Sequence, residues 1–263
     1  MPPLLRRPRY TVCLAFAFLA LAGSARAELE DEIQVYTDDI NRPGEFGLEL
    51  HLNNTPEGRS TPDYPGEVTP NHGTRLTPEF SYGVTDTLEA GLYVPSNFQS
   101  NGAWSVAGGK LRLKWMPLQP KDHDGWYAGE NLELSDLAMK YQQSRLMLEA
   151  RTIVGYHDQE WLLAFNPIFD FKLSPGPGRS NPDFNIGLKA SRRILPGVLI
   201  GPEYYSDFGG VRRFASWGEQ NNTLFLTTDV QRGPLPFQFG VGRGLSPGAD
   251  HWTVKAIFEI PFD

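Results

Sequence analysis

The chain has 263 residues, 40% hydrophobic and 21% charged, with a formal net charge of −7. That charge content is ordinary, so the protein is not a disordered acidic tail. A mean hydropathy of −0.37 excludes a helical membrane bundle, and a sequence pI of 5.3 argues against nucleic acid as a partner.

Residues 1–27 read first, and they read as an address. Arg6, Arg7 and Arg9 make a basic start, Val12 to Ala22 is an uncharged apolar run, and Ala25-Arg26-Ala27 offers small residues for cleavage. This is the layout of a secretory signal peptide cut after Ala27. It carries the single cysteine, Cys13, so the exported part has no disulfide despite an oxidising destination. Cleavage also removes four arginines and no acid, leaving 20 bases against 31 acids, a net −11.

Residues 28–43 follow as an acidic N-terminal segment, expected in the periplasm. Glu28, Glu30, Asp31, Glu32, Asp38 and Asp39 stand there, with no base before Arg42. A solvated tail is the expectation. Ile33, Val35 and Tyr36 leave room for docking across the mouth of whatever follows.

From residue 44 onward the chain alternates apolar and polar residues in stretches of about ten, the period of strands. Leu48, Leu50 and Leu52 alternate with Glu49 and His51; Leu111, Leu113 and Trp115 with Arg112 and Lys114; Val254, Ala256 and Phe258 with Lys255 and Glu259. Twelve strands are predicted, at 44–54, 74–84, 87–95, 104–115, 126–135, 144–156, 160–172, 183–194, 198–207, 222–231, 236–243 and 251–262. The fifth is the weakest, since 126–142 alternates poorly. Odd-numbered connections are long and even-numbered ones short, with Met116 to Gly125 the exception. Thr85-Asp86, Pro196-Gly197 and Gly233-Pro234 have the chemistry of tight turns.

Long loops on one rim and short turns on the other is the layout of a bacterial outer-membrane barrel. The expected fold is all-β: an up-and-down transmembrane barrel of about 12 antiparallel strands over 44–263, with both termini periplasmic. Alternation alone also suits a soluble barrel, but charge on the polar face of nearly every strand favours the membrane. The expected location is the cell outer membrane. The expected partners are outer-membrane lipid, lipopolysaccharide and the barrel-assembly machinery. The last strand ends on Phe262, one residue short of the terminal position such machinery usually meets. Trp115, Trp126, Tyr127, Tyr156, Trp161, Phe171, Tyr204, Tyr205, Trp252 and Phe262 lie near strand ends, where interfacial girdles would put them.

The inward face then defines the candidate site. Its lumen-lining candidates are Glu49, His51, Arg75, Glu79, Glu89, Lys110, Arg112, Lys114, Glu149, Arg151, Lys189, Glu203, Lys255 and Glu259. Glu45, Glu133, Asp170, Asp229, Arg145 and Lys172 share the same parity. Ten acids against nine bases make this wall nearly neutral. Glu89 on the third strand faces Lys110, Arg112 and Lys114 on the fourth, and opposite charges across strands attract. Two readings follow: a closed lumen cross-linked by ion pairs, or a narrow polar pore selecting small polar or charged solutes.

Catalysis has little to stand on. Of His51, His72, His123, His157 and His251, only His51 lies within a strand on the polar face; His72 and His251 lie near the long-loop ends of strands. No H-E-x-x-H occurs, and no two histidines share close spacing. No catalytic residue, metal or cofactor is expected, and a lipid hydrolase at the rim is the third choice.

Four stretches carry a resemblance: Pro43-Gly-Glu-Phe-Gly-Leu-Glu-Leu-His-Leu-Asn53, Thr77-Pro-Glu-Phe-Ser-Tyr-Gly-Val-Thr-Asp86, Gly91-Leu-Tyr-Val-Pro95 and Pro202-Glu-Tyr-Tyr-Ser-Asp-Phe-Gly209. They resemble a family of proteobacterial outer-membrane β-barrels of unassigned chemistry, transporter-like and akin to the MetA-type barrels of phenol-degradation clusters. The resemblance implies fold and location and supplies no catalytic residue. The expected function is a passive channel for small polar or aromatic solutes. The alternative is a non-conducting structural or surface-interaction barrel.

Overall fold

The structure, a computed structural model, describes residues 31–121, 124–176 and 178–260. The leader, Glu28, Glu30, His123 and Phe262 lie outside these residues. Fourteen strand segments follow in order: β1 (Phe46–Glu57), β2 (Thr74–Thr85), β3 (Leu88–Tyr93), β4 (Ser96–Phe98), β5 (Trp104–Val106), β6 (Gly108–Leu118), β7 (Gly125–Leu137), β8 (Leu146–His157), β9 (Trp161–Lys172), β10 (Asp183–Leu195), β11 (Val198–Gly210), β12 (Asn221–Val230), β13 (Phe237–Gly244) and β14 (Trp252–Ile260).

These segments make twelve staves. Each pairs antiparallel with its neighbours, and β1 pairs with β14 as well as β2, so the sheet closes. β3 and β4 form one stave broken at Val94-Pro95: β2 pairs with β3 through Glu79–Thr85 and with β4 through Thr74–Leu76. Proline has no N–H to give the ladder, which explains the break. β5 and β6 form the next stave, broken at Ala107.

The connections alternate in length. Residues 86–87, 119–124, 158–160, 196–197 and 231–236 turn at one rim; 58–73, 99–103, 138–145, 173–182, 211–220 and 245–251 cross the other. The stretch 116–125 shrinks to a six-residue turn, because β6 runs to Leu118 and β7 begins at Gly125, though it still exceeds the five residues of 99–103. The weakest predicted strand is a full stave of 13 residues, paired on both sides. β1 starts and β14 ends on the short-turn rim.

Polarity is inverted relative to a soluble core. Along β6, Leu111, Leu113 and Trp115 are 60%, 51% and 53% exposed, while Arg112 and Lys114 are buried. The other staves repeat the pattern, with Glu130 facing outward and Tyr127 inward on β7 as departures. The outer wall is a continuous apolar band, and the inner wall is polar and charged. Water solvates such an outer surface poorly, whereas hydrocarbon does not resist it. Trp126 stacks near Tyr156 at 5.4 Å on the outside. Two of the predicted girdle residues belong elsewhere: Tyr127 and Tyr205 point inward. Gly155 makes this possible for Tyr127, because a Cβ there would lie 2.2 Å from its ring.

Residues 31–41 are not a solvated tail. They run inside the barrel from the short-turn mouth toward the long-loop rim. The segment passes in beside Gly83, whose N–H donates to Glu45 O (3.0 Å) and whose carbonyl accepts from Gly44 N (2.8 Å). Only glycine fits there: a Cβ would lie 2.1 Å from the carbonyl oxygen of Arg42.

Candidate functional site

The lumen and its threaded segment make the site. Deep in the barrel, Asn166 on β9 grips the main chain at Tyr36, accepting from its N–H (2.6 Å) and donating to its carbonyl (3.1 Å). The Tyr36 hydroxyl bonds the hydroxyl of Tyr93 at 2.7 Å and donates to Glu133 at 3.1 Å. The Arg151 guanidinium lies 4.3 Å from the centre of the Tyr36 ring, a cation–π contact in a desolvated place. Val35, Tyr36, Met116, Tyr127, Ile153 and Ala164 form a small apolar cluster at this level.

Bases on the wall hold the segment by its carbonyls. Arg151 donates to Gln34 O (3.0 Å), Lys255 to Ile33 O (2.9 Å) and Lys114 to Asp39 O. β8 and β14 stand on opposite sides of the ring, so consecutive carbonyls of an extended segment reach opposite walls. Lys110 pairs with the Asp31 carboxylate at 2.8 Å, His157 with Asp38 at 3.2 Å, and Glu89 accepts from Asn41 N at 2.7 Å.

The remaining wall charges pair among themselves. Arg112 bridges Glu79 and Glu89, 2.6 Å from each. Lys189 sits 3.0 Å from Glu203 and 2.9 Å from Asp229, and Lys255 also bonds Glu203. Arg151 pairs with Glu149 at 2.8 Å, and Lys172 with Asp183. Arg75 is buried on β2, and Glu259 stands at the short-turn mouth, in register with Glu49. Buried charges of this kind need partners, and these have them.

Two residues given inward parity do not reach the lumen. Glu45 precedes β1 and is exposed at the rim, where its carboxylate caps Arg42 N (3.1 Å). Arg145 precedes β8 and pairs in solvent with Asp136 at 2.7 Å. In both, the strand ends before parity can act.

The barrel also collects a group that spacing along the chain concealed. Glu49 and His51 on β1 meet Glu79 on β2, their ligand-type atoms within 4.8 Å of one another. His51 Nε2 bonds Glu79 at 3.1 Å, and Arg112 engages the other oxygen of Glu79. Glu79 is therefore already neutralised by a fixed cation.

Three spaces flank the segment. One of about 160 Å³ lies toward the long-loop rim, lined by Asp31, Glu32, Glu149, Asp170, Asp183 and Asp207 with Lys110, Arg151 and Lys172. One of about 340 Å³ opens toward the short-turn rim, lined by Asp39, Glu49, Glu79, Glu89 and Glu259 with Arg112 and Lys114. A third of about 200 Å³ lies on the segment's other side, lined by Asp38, Asp39, Glu49, Asp158, Asp229 and Glu259 with Lys189, Arg193 and His157.

The long loops carry a separate ionic knot. Arg59 lies 2.6 Å from Asp63 and 3.5 Å from Glu67, and its N–H donates to Asp250 at 2.8 Å. Burial raises the Glu67 and Asp250 carboxyls above the ordinary range. His251 bonds Glu57 at 2.7 Å, exposed on the same rim.

Neither a family model nor a curated protein sequence matches the chain. Solved structures do. The COG4313 outer membrane channel from Pseudomonas putida F1 superposes with a TM-score of 0.57 at 12% identity, covering 88% of this chain and 100% of its own. The KdgM porin gives 0.55 at 8%, covering 82% and 99%, and the NanC porin 0.52 at 8%, with the same shares. KdgM was also solved in complex with disordered oligogalacturonate. At these identities the likeness is one of fold.

Proposed function

We propose that this protein is an outer-membrane channel through which small polar or aromatic solutes pass down their gradients, with residues 31–41 holding it closed. The observation that carries the reading is what fills the barrel. A lumen built to be solid would close on packed side chains, as eight-stranded barrels do. Here twelve staves enclose a single strand of polypeptide, bound by polar contacts, with cavities on both sides of it. The inverted polarity supports a membrane site, and the short-turn rim, with both ends of the barrel, is assigned to the periplasm. Outer-leaflet lipopolysaccharide would then face the long loops, and the barrel-assembly machinery would insert the chain. The lumen's carboxylates make a polyuronate such as KdgM's a poor solute for it.

The test is planar-bilayer recording of the refolded protein, beside Tyr36→Ala, which removes the central anchor of the segment. The expected result is small or rare currents from the parent and larger, more frequent ones from the variant. Silence from both at every voltage and salt, with the barrel folded, sinks the reading. A water-soluble, detergent-free monomer would remove the membrane assignment itself.

A further inference from the structure

The threaded segment does more than obstruct. Each of the three lumen spaces has an excess of carboxylates over lysine and arginine. The space toward the long loops has six against three, and the two toward the short turns have five against two and six against two. Much of the excess belongs to the segment rather than the wall. Without Asp31 and Glu32 the first space would hold four acids against three bases. Without Asp39 the second would hold four against two. Without Asp38 and Asp39 the third would hold four against two.

The state of the charges matters as much as their number. Every lysine of the inner wall is engaged: Lys110 with Asp31, Lys114 with Asp39 O, Lys172 with Asp183, Lys189 with Asp229 and Glu203, and Lys255 with Glu203 and Ile33 O. The segment's carboxylates divide differently. Asp31 and Asp38 have ionic partners, whereas Glu32 and Asp39 make no ion pair among the described residues. Glu32 keeps one buried oxygen with no hydrogen-bond donor. The passage therefore offers carboxylates without an ion-pair partner and no lysine without a bonding partner among the described residues. Charge of one sign between low-dielectric walls focuses its field along the passage and concentrates the opposite ion there. The segment is tied to β1 through Arg42-Pro43-Gly44, so Asp39 stays near the short-turn mouth even when the segment loosens.

We infer that the channel prefers cations to anions, and that Glu32 and Asp39 of the lumen segment set the preference. This rests on the channel reading above. Solutes bearing ammonium groups neutralise these two carboxylates, and solutes bearing carboxylates do not.

Reversal potentials in a potassium chloride gradient test it on the full chain. The parent should show a potassium-to-chloride permeability ratio severalfold above one. Glu32→Gln with Asp39→Asn should bring it toward one, since both amides keep the shape and lose the charge. The same pair of changes on a Tyr36→Ala background gives a second comparison where currents are larger. A parent ratio at or below one overturns the inference and leaves the channel standing. So does a ratio that the paired variant does not move. Absence of current in both the parent and Tyr36→Ala removes the channel, and this inference with it.

Discussion

Tyr36→Phe removes one oxygen atom and keeps the ring. In the parent that oxygen bonds Tyr93 at 2.7 Å and Glu133 at 3.1 Å, and all three side chains are almost fully buried. The Arg151 contact, 4.3 Å from the ring centre, is untouched. With the segment docked, the variant leaves a buried hydroxyl and a buried carboxylate short of a partner, which costs about 1–3 kcal/mol. With the segment withdrawn, water reaches Tyr93 and Glu133, so the cost falls on the docked state alone. The equilibrium between docked and withdrawn then shifts by about 5–150-fold. Single-channel recording reads this as a rise in the open fraction, with longer open dwells. Tyr93→Phe should reproduce part of the effect, and the two together should cost less than their sum, because they share one bond. An open fraction in Tyr36→Phe indistinguishable from the parent's refutes the reasoning, since docking would then not be what closes the pore.

Further outcomes follow from the same geometry. Gly83→Ala places a Cβ 2.1 Å from Arg42 O and 2.5 Å from Asn41 O, so the main chain must move at the mouth, at a cost of about 1–3 kcal/mol; limited proteolysis should then cut within 31–41 faster while the barrel stays folded. Lys255→Met leaves fully buried Glu203 with one cation, Lys189, among the described residues and strips Ile33 O of its donor, costing about 3–5 kcal/mol. The temperature at which the folded band disappears in a heat-modifiability gel should fall, and Glu203→Gln added to it should restore part of the loss. Burial raises the folded-state values of Glu67 and Asp250, so the folded loop binds protons more tightly than the unfolded one. Their contribution is full below the ordinary carboxylate value and is lost as pH rises through the raised values. Proteolysis within 58–73 should therefore accelerate from acid toward neutral pH, and Glu67→Gln with Asp250→Asn should flatten that dependence.

The barrel was legible in the sequence because a closed sheet with one wet and one apolar face forces a period of two on every stave. The pattern faded in β7 for a local reason. Glu130 faces outward there, held by Thr152 at 2.9 Å, while Tyr127 turns inward over Gly155. Glu45 and Arg145 have the right parity for the lumen but stand just past the strand ends, where parity has no meaning. The threaded segment was legible only as the lesser alternative to a solvated tail. Its composition is that of a solvated tail, and much of its grip comes through carbonyl oxygens, which every residue has. The Glu49–His51–Glu79 group escaped for a related reason: it exists only once β1 and β2 are in register. The one signal available was Ile33, Val35 and Tyr36, apolar residues set among acids without a strand of their own.

The alternation of carbonyls has a consequence for how this region tolerates length changes. Ile33 O turns to Lys255 and Gln34 O to Arg151 on the facing wall. Inserting a single residue between Tyr36 and Asn41 would carry every carbonyl beyond it to the wrong side, and both bases would lose their acceptors together. Inserting two would restore each oxygen to its wall, one pleat further along. Side-chain identity matters little to such a grip away from Tyr36. What this grip asks of the stretch, beside Tyr36 and the acids, is therefore parity: homologous segments are expected to differ in length by even numbers.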